Sequence, residues 1–222
     1  MNFTERSLVV GKGFQPKPSL KVIQDPWTLI VVNAWGQADV GEKITEIISE
    51  SLTQPSVVDD DTTKLGVEVS PKLEPTVLDQ MKGAILKAHD YLLKEANAEE
   101  WTSMAEVSLL RFENHSVQWV SVGKPHIFMR TSSGIEPMNY TPDPNWHQRQ
   151  SAPLALQAIG LDQSPFFHGG VMSVQKHDQI ILVSAGAVPT AFYLQDSFDL
   201  SKVANLFAEF LPKTPAWFCL LE

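Results

Sequence analysis

The sequence predicts an α+β layered sandwich, in which antiparallel strands form the sheets and helices cover them. Short apolar segments rich in β-branched and aromatic residues make up much of the chain. Helical patterns occur in separate blocks and do not alternate one by one with strands, which argues against a doubly wound parallel sheet. No internal repeat and no long linker is visible, so residues 1–222 are predicted to form a single domain with a surface insertion at 55–75.

The composition is that of an acidic protein that can bury a sizeable core. Of its 222 residues 43% are hydrophobic, and 17 Lys and Arg residues stand against 26 Asp and Glu residues. The formal net charge of −9 disfavours nucleic acid and anionic membrane surfaces as partners. The sequence has no signal-like start and no segment near the ~20 apolar residues of a membrane span, which predicts a cytoplasmic protein.

The first half of the chain is predicted to contain two strands followed by two helices. Residues 7–10 and 27–32 are short, apolar and β-rich, and a loop containing Gly and Pro separates them. Apolar residues then recur at helical spacing from Val40 to Leu52, and this pattern stops at Gln54-Pro55. A second amphipathic helix is predicted over 76–96.

The second half is predicted to consist mainly of strands. They fall at 105–112, 117–122, 127–130, 170–174, 179–184 and 216–221. Turn signals between the first three strands indicate an antiparallel meander. A short helical piece is predicted at 154–159, after a loop that contains Trp146, and a last helix at 200–211.

Common motifs of metal, nucleotide and hydrolase chemistry are missing or incomplete. The six histidines lack paired ligand spacing, and Gly11-Lys12-Gly13 lacks the spacing of a phosphate-binding loop. Leu182 stands where a nucleophile elbow around Ser184 would need glycine. The run Asp59-Asp60-Asp61 lacks the alternating carboxylates of a calcium loop and indicates a solvated loop. Cys219 lies in an apolar run, so its thiol is expected to be buried and unreactive.

Several segments, in order along the chain, resemble the motifs of one protein family. The run 29–36, followed by Gly41-Glu42, resembles a strand, an Asp-Gly-Met-Gly-Gly turn and a helix start. The turn 123–126 resembles the centre of a Gly-Asp-Ser-Arg hairpin, and 177–186 resembles Gly-Asp-x-Leu-Leu-Leu-x-Ser-Asp-Gly. Residues 213–221 stand where a last Asp-Asn turn and strand would be. These segments resemble the metal-dependent protein phosphatases (phosphatase 2C-like, PPM superfamily), and the resemblance implies a four-layer αββα sandwich.

The resemblance also implies a degenerate metal site. In that family, aspartates hold two divalent metals that activate a bridging water. Carried over by position, Asn33 and Ala34 replace the first aspartate and its glycine, Ala185 replaces the aspartate of the Ser-Asp-Gly turn, and Thr214 that of the Asp-Asn turn. Because an amide, a methyl and a hydroxyl do not balance two dications, we expect no cofactor. These vestigial positions are expected to cluster at one end of the sandwich.

Asp25 and Asp39 are the candidates for a residual metal site. Gln24-Asp25 resembles an early acidic element of the family, and Asp39 follows the turn after Gly36. Both residues also suit ordinary surface roles, one in a turn before Pro26 and the other as an acid at a helix N-terminus. The two interpretations stay open at the level of sequence.

Two functions of different classes follow from these residues. The first is a non-catalytic, phosphatase-like (pseudophosphatase) domain that engages a protein partner, since a fold survives loss of its ligands more readily than an activity does. The alternative is an active serine/threonine protein phosphatase dependent on Mn or Mg, with metal ligands relocated to Asp25, Asp39 and the 59–61 loop. A third possibility is a structural subunit that uses exposed aromatics such as Trp146 as partner contacts.

Overall fold

A computed structural model describes residues 2–9, 17–53, 75–140, 157–161, 164–195, 199–212 and 214–222. Within these ranges the chain forms ten strands in two five-stranded antiparallel sheets, with helices on the outer faces. The strands are β1 (Phe3–Leu8), β2 (Ser19–Gln24), β3 (Trp27–Trp35), β4 (Met104–Glu113), β5 (Ser116–Val122), β6 (His126–Thr131), β7 (Gly134–Asn139), β8 (His168–Ser173), β9 (Gln179–Ser184) and β10 (Ala216–Leu221). This arrangement confirms the predicted α+β sandwich.

Each sheet is built from strands that are distant in sequence. One sheet has the order β1-β10-β9-β6-β7 and the other the order β2-β3-β4-β5-β8. The predicted meander is therefore only partly correct. Strands β4 and β5 pair, but the turn at residues 123–125 carries the chain to the opposite sheet, where β6 pairs with β9 and β7.

Three α-helices cover the outer faces: α1 (Val40–Thr53), α2 (Val77–Tyr91) and α3 (Leu200–Phe210). Helices α1 and α2 pack side by side against the β2-β3-β4-β5-β8 sheet, as their apolar stripes predict. Helix α3 and a 3₁₀ helix, Thr190–Leu194, cover the other sheet. Among the described residues, one α-helix covers the second sheet, whereas the predicted arrangement has a pair of helices on each sheet. None of the described helices is long and apolar enough to cross a bilayer.

Three apolar layers follow from the period-two alternation of the strands. One lies between α1 and α2 and their sheet, another between α3 and its sheet, and the third between the two sheets. Seven residues that the sequence predicts to lie in the interior, since each sits in a short apolar β-rich run, are all buried. They are Ile30, Val32, Leu109, Trp119, Ile181, Val183 and Phe218.

Several predicted segments differ from the structure or fall outside it. Strands β2 and β7 were not predicted. Strand β1 begins at Phe3, earlier than predicted; its start was missed because most of its residues are exposed and carry no apolar pattern. No helix occupies 157–159; Ile159 instead forms an isolated antiparallel bridge with Ala105. The 55–75 insertion, apart from Pro75, lies outside the described residues, as do the 59–61 triplet and Trp146.

The end of α2 is fixed to the rest of the domain by a buried asparagine. The helix continues into one π-helical turn, Leu92–Ala96, and Asn97 follows it. The Asn97 amide donates to the carbonyl oxygens of Ser103 (2.8 Å) and Gly160 (3.2 Å). Its Oδ1 accepts from the backbone N–H groups of Thr102 (3.1 Å) and Ser103 (2.9 Å). The side chain therefore makes four hydrogen bonds in an interior position, and it joins three chain segments.

Candidate functional site

At one end of the sandwich, the layer between the sheets changes from apolar to polar. Leu29 and Val31 of β3 belong to the apolar inter-sheet layer, and the next inward position along that strand is Asn33. The same alternation places five further buried polar side chains in this layer. We call the set the inter-sheet polar cluster: Asn33, Glu106, Ser108, Ser121, Asn139 and Ser184. Because the strands are antiparallel, the end of β3, the start of β4 and the ends of β5, β7 and β9 all meet there.

Hydrogen bonds connect part of this cluster. Asn33 Nδ2 donates to Glu106 Oε2 over 3.2 Å, across a register pair of β3 and β4. Asn139 Nδ2 donates to Ser121 Oγ over 2.8 Å, which links the two sheets. Within the described part of the chain, Asn33 Oδ1 and Ser108 Oγ have no hydrogen-bond partner. The cluster therefore contains buried polar atoms with unused hydrogen-bonding capacity, a situation that normally calls for water or a ligand.

Glu106 carries the one carboxylate of the cluster, and it is 1% exposed. Burial raises the pKa of Glu106, because a charged carboxylate loses its hydration there. Three groups oppose this shift by favouring the charged form: the positive charge of Lys124, the Lys124 backbone N–H and the Asn33 amide. The direction of the pKa shift shows that these three groups only partly offset the desolvation.

Lys124 and His126 flank the crossover that joins the two sheets. Lys124 is 8% exposed and precedes Pro125, and His126 opens β6. Burial, reinforced by the Lys124 charge, lowers the pKa of His126 to about 3, although a hydrogen bond to the Ala185 backbone favours its protonated form. The His126 imidazole is therefore neutral near pH 7. It lies against Tyr140, with ring centroids 4.9 Å apart.

The predicted vestigial positions occupy distinct places relative to this end. Asn33 belongs to the cluster, and its neighbour Ala34 is half-buried. Ala185 is fully buried directly after β9, where His126 reaches its backbone. Thr214 is half-buried two residues before β10, and Trp217 of that strand pairs with Ser184. Backbone register thus places the three strand tips at one end, and the described contacts link Asn33 to Ala185 through Glu106, Lys124 and His126.

The two candidate residual ligands lie elsewhere. Asp25 is exposed in the turn between β2 and β3, at the opposite end of β3 from Asn33. Strand β3 covers six residue steps from Trp27 to Asn33, which corresponds to roughly 20 Å. Asp39 is exposed just before α1, where its carbonyl accepts from the Lys43 backbone N–H. The structure therefore does not bring Asp25 and Asp39 together.

The donor set at this end does not match a two-metal centre. Mg²⁺ and Mn²⁺ sites require several oxygen anions, and the described cluster has one carboxylate with a buried lysine beside it. No group of three or more His, Cys, Asp or Glu side chains in the described residues is arranged to hold a metal ion. The residues that the structure describes at this end therefore do not make up the donor set of a metal pair.

No protein-family model matches the chain, and a sequence search of curated proteins finds no match. Solved structures do match. PppA, a key regulatory component of T6SS in Pseudomonas aeruginosa, superposes with a TM-score of 0.65 at 11% identity, covering 99% of this chain and 97% of that one. The Mycobacterium tuberculosis serine/threonine phosphatase PstP/Ppp gives 0.61 at 12% identity, with 99% and 97% coverage. The PPM Ser-Thr phosphatase MsPP from Mycobacterium smegmatis, in complex with cacodylate, gives 0.62 at 12% identity, with 100% and 98% coverage.

The fold is that of the PPM serine/threonine phosphatases. The likeness covers nearly the whole of this chain and of each matched chain. At these identities the likeness establishes the fold alone, and the chemistry has to be argued from the residues of this chain.

Sequence reasoning located Asn33 and Ala185 but missed Glu106 and Lys124, the two charged residues of this end. Glu106 is the one acid between Met104 and Phe112, a strand segment that is mostly apolar. An isolated acid at an inward position of a central strand is rarely left unpaired. Its presence in this segment was the sequence signal that could have indicated a buried polar site. The burial of Lys124 depends on how the crossover packs, for which the sequence offers no local pattern.

Proposed function

We propose that this chain is a non-catalytic, phosphatase-like domain that uses the PPM fold to engage a protein partner. The observation that carries the proposal is the content of the inter-sheet polar cluster: one carboxylate, two amides and three hydroxyls, with Lys124 beside them. A PPM-type reaction needs a pair of dications to activate water and orient the phosphoryl group. A cluster with this charge lacks the anions to hold such a pair.

The test of lost catalysis is direct. The purified chain, supplied with Mn²⁺ or Mg²⁺, is assayed with an aryl phosphate and with a phosphoserine peptide. We expect no turnover above that of an Asp39→Ala variant, which removes the one relocated acid near the start of α1. Metal-dependent hydrolysis by the unaltered chain that Asp39→Ala abolishes would instead establish the alternative, an active phosphatase with relocated ligands.

Exposed aromatic side chains support a protein partner. Trp101 is 67% exposed and Phe166 is 63% exposed. Both lie in segments that the structure ties to residues 157–161, because Asn97 bonds to Gly160 and His168 contacts Gln157 at 3.2 Å. Aromatic side chains exposed in this way offer apolar contact area to a protein partner.

A matched pair of variants tests this surface. Trp101→Ser combined with Phe166→Ser is expected to lose a partner that co-purifies with the unaltered chain from its native cells, while the melting temperature stays within about 2 °C. Leu194→Ser combined with Phe210→Ser alters two apolar residues that are also exposed, at the 3₁₀ helix and α3. Partner loss in this control pair alone would place the binding surface beside α3 instead.

A further inference from the structure

Lys124 holds an unusual position for a lysine. It is 8% exposed, in the crossover between the two sheets, and lysine is seldom buried to this degree without an anionic partner. Gly123 precedes it with φ of +73°, and Glu106 packs so closely there that a Cβ on Gly123 would lie 2.7 Å from Glu106 Cγ. The crossover is therefore held tightly against the Glu106 side chain.

Glu106 is the anion that faces this lysine. The Lys124 backbone N–H hydrogen-bonds to its carboxylate, and the Lys124 charge favours the ionised form, although burial leaves the pKa of Glu106 raised overall. The described ion pairs within 4.0 Å are Lys17–Glu5, Lys43–Glu46, Lys94–Asp90 and Arg111–Glu113, so the attraction between Lys124 and Glu106 acts over a longer distance. Because both residues are buried, solvent and salt screen this attraction less than they would at the surface.

The position of Glu106 along β4 relates this pair to the metal site that the resemblance implies. Glu106 stands directly opposite Asn33 in the β3–β4 register, and Asn33 is the position at which the resemblance places the first metal-binding aspartate. The carboxylate is thus one strand away from its expected position. The positive charge at this end is the side-chain ammonium of Lys124, which is covalently part of the chain.

We infer that the Lys124 ammonium is a tethered counter-charge for Glu106 and takes the place of the metal charge at this end of the sandwich. This inference deepens the proposed function and rests on it. A fixed ammonium neutralises one carboxylate without any exchangeable ion. The domain then keeps the architecture of a metal site while being indifferent to metal.

An anion-binding role for Lys124 is less well supported. The carboxylate of Glu106 interacts with Lys124 and repels a phosphate, and His126 is neutral near pH 7 and contributes no positive charge. Asn33 Oδ1, one of the unpartnered atoms of the cluster, is an acceptor and would face an anion unfavourably.

A double-mutant cycle tests the charge pairing. Melting temperatures are measured for the unaltered chain, Lys124→Met, Glu106→Gln and the double variant, at about pH 8 and about pH 5. We expect Lys124→Met to lower the melting temperature by about 4–8 °C at the higher pH, and by less than half as much in the Glu106→Gln background. Lys124→Arg keeps the charge and should stay close to the unaltered chain. Equal losses in both backgrounds would overturn the inference.

Metal response provides the second readout. In Lys124→Met, the carboxylate of Glu106 and Oδ1 of Asn33 become available to an added ion, so millimolar Mn²⁺ should raise its melting temperature by about 2–4 °C. The unaltered chain, Lys124→Arg and the double variant should show no rise. If Lys124→Met folds, as judged by circular dichroism, and is as metal-insensitive as the double variant, Lys124 does not replace a metal.

The variants also separate this inference from the proposed function. A metal-insensitive Lys124→Met overturns the assignment of Lys124 and leaves the non-catalytic proposal intact. Metal-dependent hydrolysis by the unaltered chain overturns the non-catalytic proposal, whatever the cycle shows. Should Lys124→Met fail to fold, Lys124→Gln, which keeps a polar terminus, carries the same expected coupling and the same metal readout.

Discussion

Asn33 Nδ2 donates to Glu106 Oε2 over 3.2 Å, and both side chains are 1% exposed. This bond joins neighbouring strands at a single register position in the layer between the sheets. The bond satisfies part of the hydrogen-bonding capacity of the Glu106 carboxylate, which is costly to bury without partners. It requires that residue 33 be a hydrogen-bond donor. An aspartate at position 33, as the PPM resemblance would have it, removes that donor and adds a second negative charge.

The first prediction follows from this relationship. Asn33→Asp should destabilise the chain by about 2–3 kcal/mol near neutral pH, because two carboxyl groups then face each other in a buried layer. The loss should shrink as the pH falls, since protonating one carboxyl restores a donor. Urea unfolding followed by tryptophan fluorescence measures it. Asn205→Asp, at an exposed position of α3, is the control and should change stability by less than about 0.5 kcal/mol.

The sequence predicted the sheets better than it predicted the site, and the reason is physical. Strands such as β3 and β10 are buried on both faces and read as continuous apolar runs, so they were found with nearly correct bounds. The edge strands β1 and β2 are largely or partly exposed. They are strands because their backbones pair with a neighbouring strand, and their side chains show no clear strand pattern. The hydrophobic pattern of a short segment does not predict such backbone pairing.

The same distinction applies to the polar end of the sandwich. Asn33 and Ala185 were named through the resemblance to the phosphatase family, which places each at the end of an apolar run. The pairing of Glu106 with Asn33 depends on the β3–β4 register, and the burial of Lys124 depends on a crossover between sheets. Both are tertiary properties, and neither has a signature in a window of a few residues.

A second prediction concerns the pH dependence of stability. Because burial raises the pKa of Glu106 above its ordinary value of 4.5, the ionised form is disfavoured in the folded chain. The contribution of Glu106 is therefore most favourable below about pH 4.5 and is lost as the pH rises through the folded-state pKa. Glu106→Gln removes this titration. Its free energy of unfolding, relative to the unaltered chain, should increase as the pH rises from about 4.5 to about 8.

Urea midpoints collected across that pH range measure the difference. Glu209→Gln, at an exposed position of α3, serves as the control and should give a nearly flat difference. A relative stability of Glu106→Gln that falls with rising pH would mean that Lys124 and Asn33 more than offset the desolvation of the carboxylate.

A third prediction separates contact from backbone strain at two glycines. Gly123 has φ of +73°, and an added Cβ would collide with the Gln157 carbonyl oxygen and lie 2.7 Å from Glu106 Cγ. Gly134 also has positive φ, at +138°, but an added Cβ there meets nothing within 4 Å. Gly123→Ala should cost about 3 kcal/mol or more, and Gly134→Ala about 1 kcal/mol. Equal losses in chemical denaturation would show that strain alone dominates at both positions.

The last prediction concerns Asn97, whose four hydrogen bonds hold the end of α2 against residues 102–103 and Gly160. Asn97→Ala leaves buried N–H and carbonyl groups of these segments without partners, and unmet buried groups cost more than the bonds contribute on average. We expect a loss of about 3–4 kcal/mol, measured by urea unfolding, with Asn205→Ala as the exposed control. Asn97→Asp keeps the acceptor and removes both donors, so it should lose most of the same stability. If it retained nearly all of it, the two bonds to backbone N–H groups alone would fix the end of the helix.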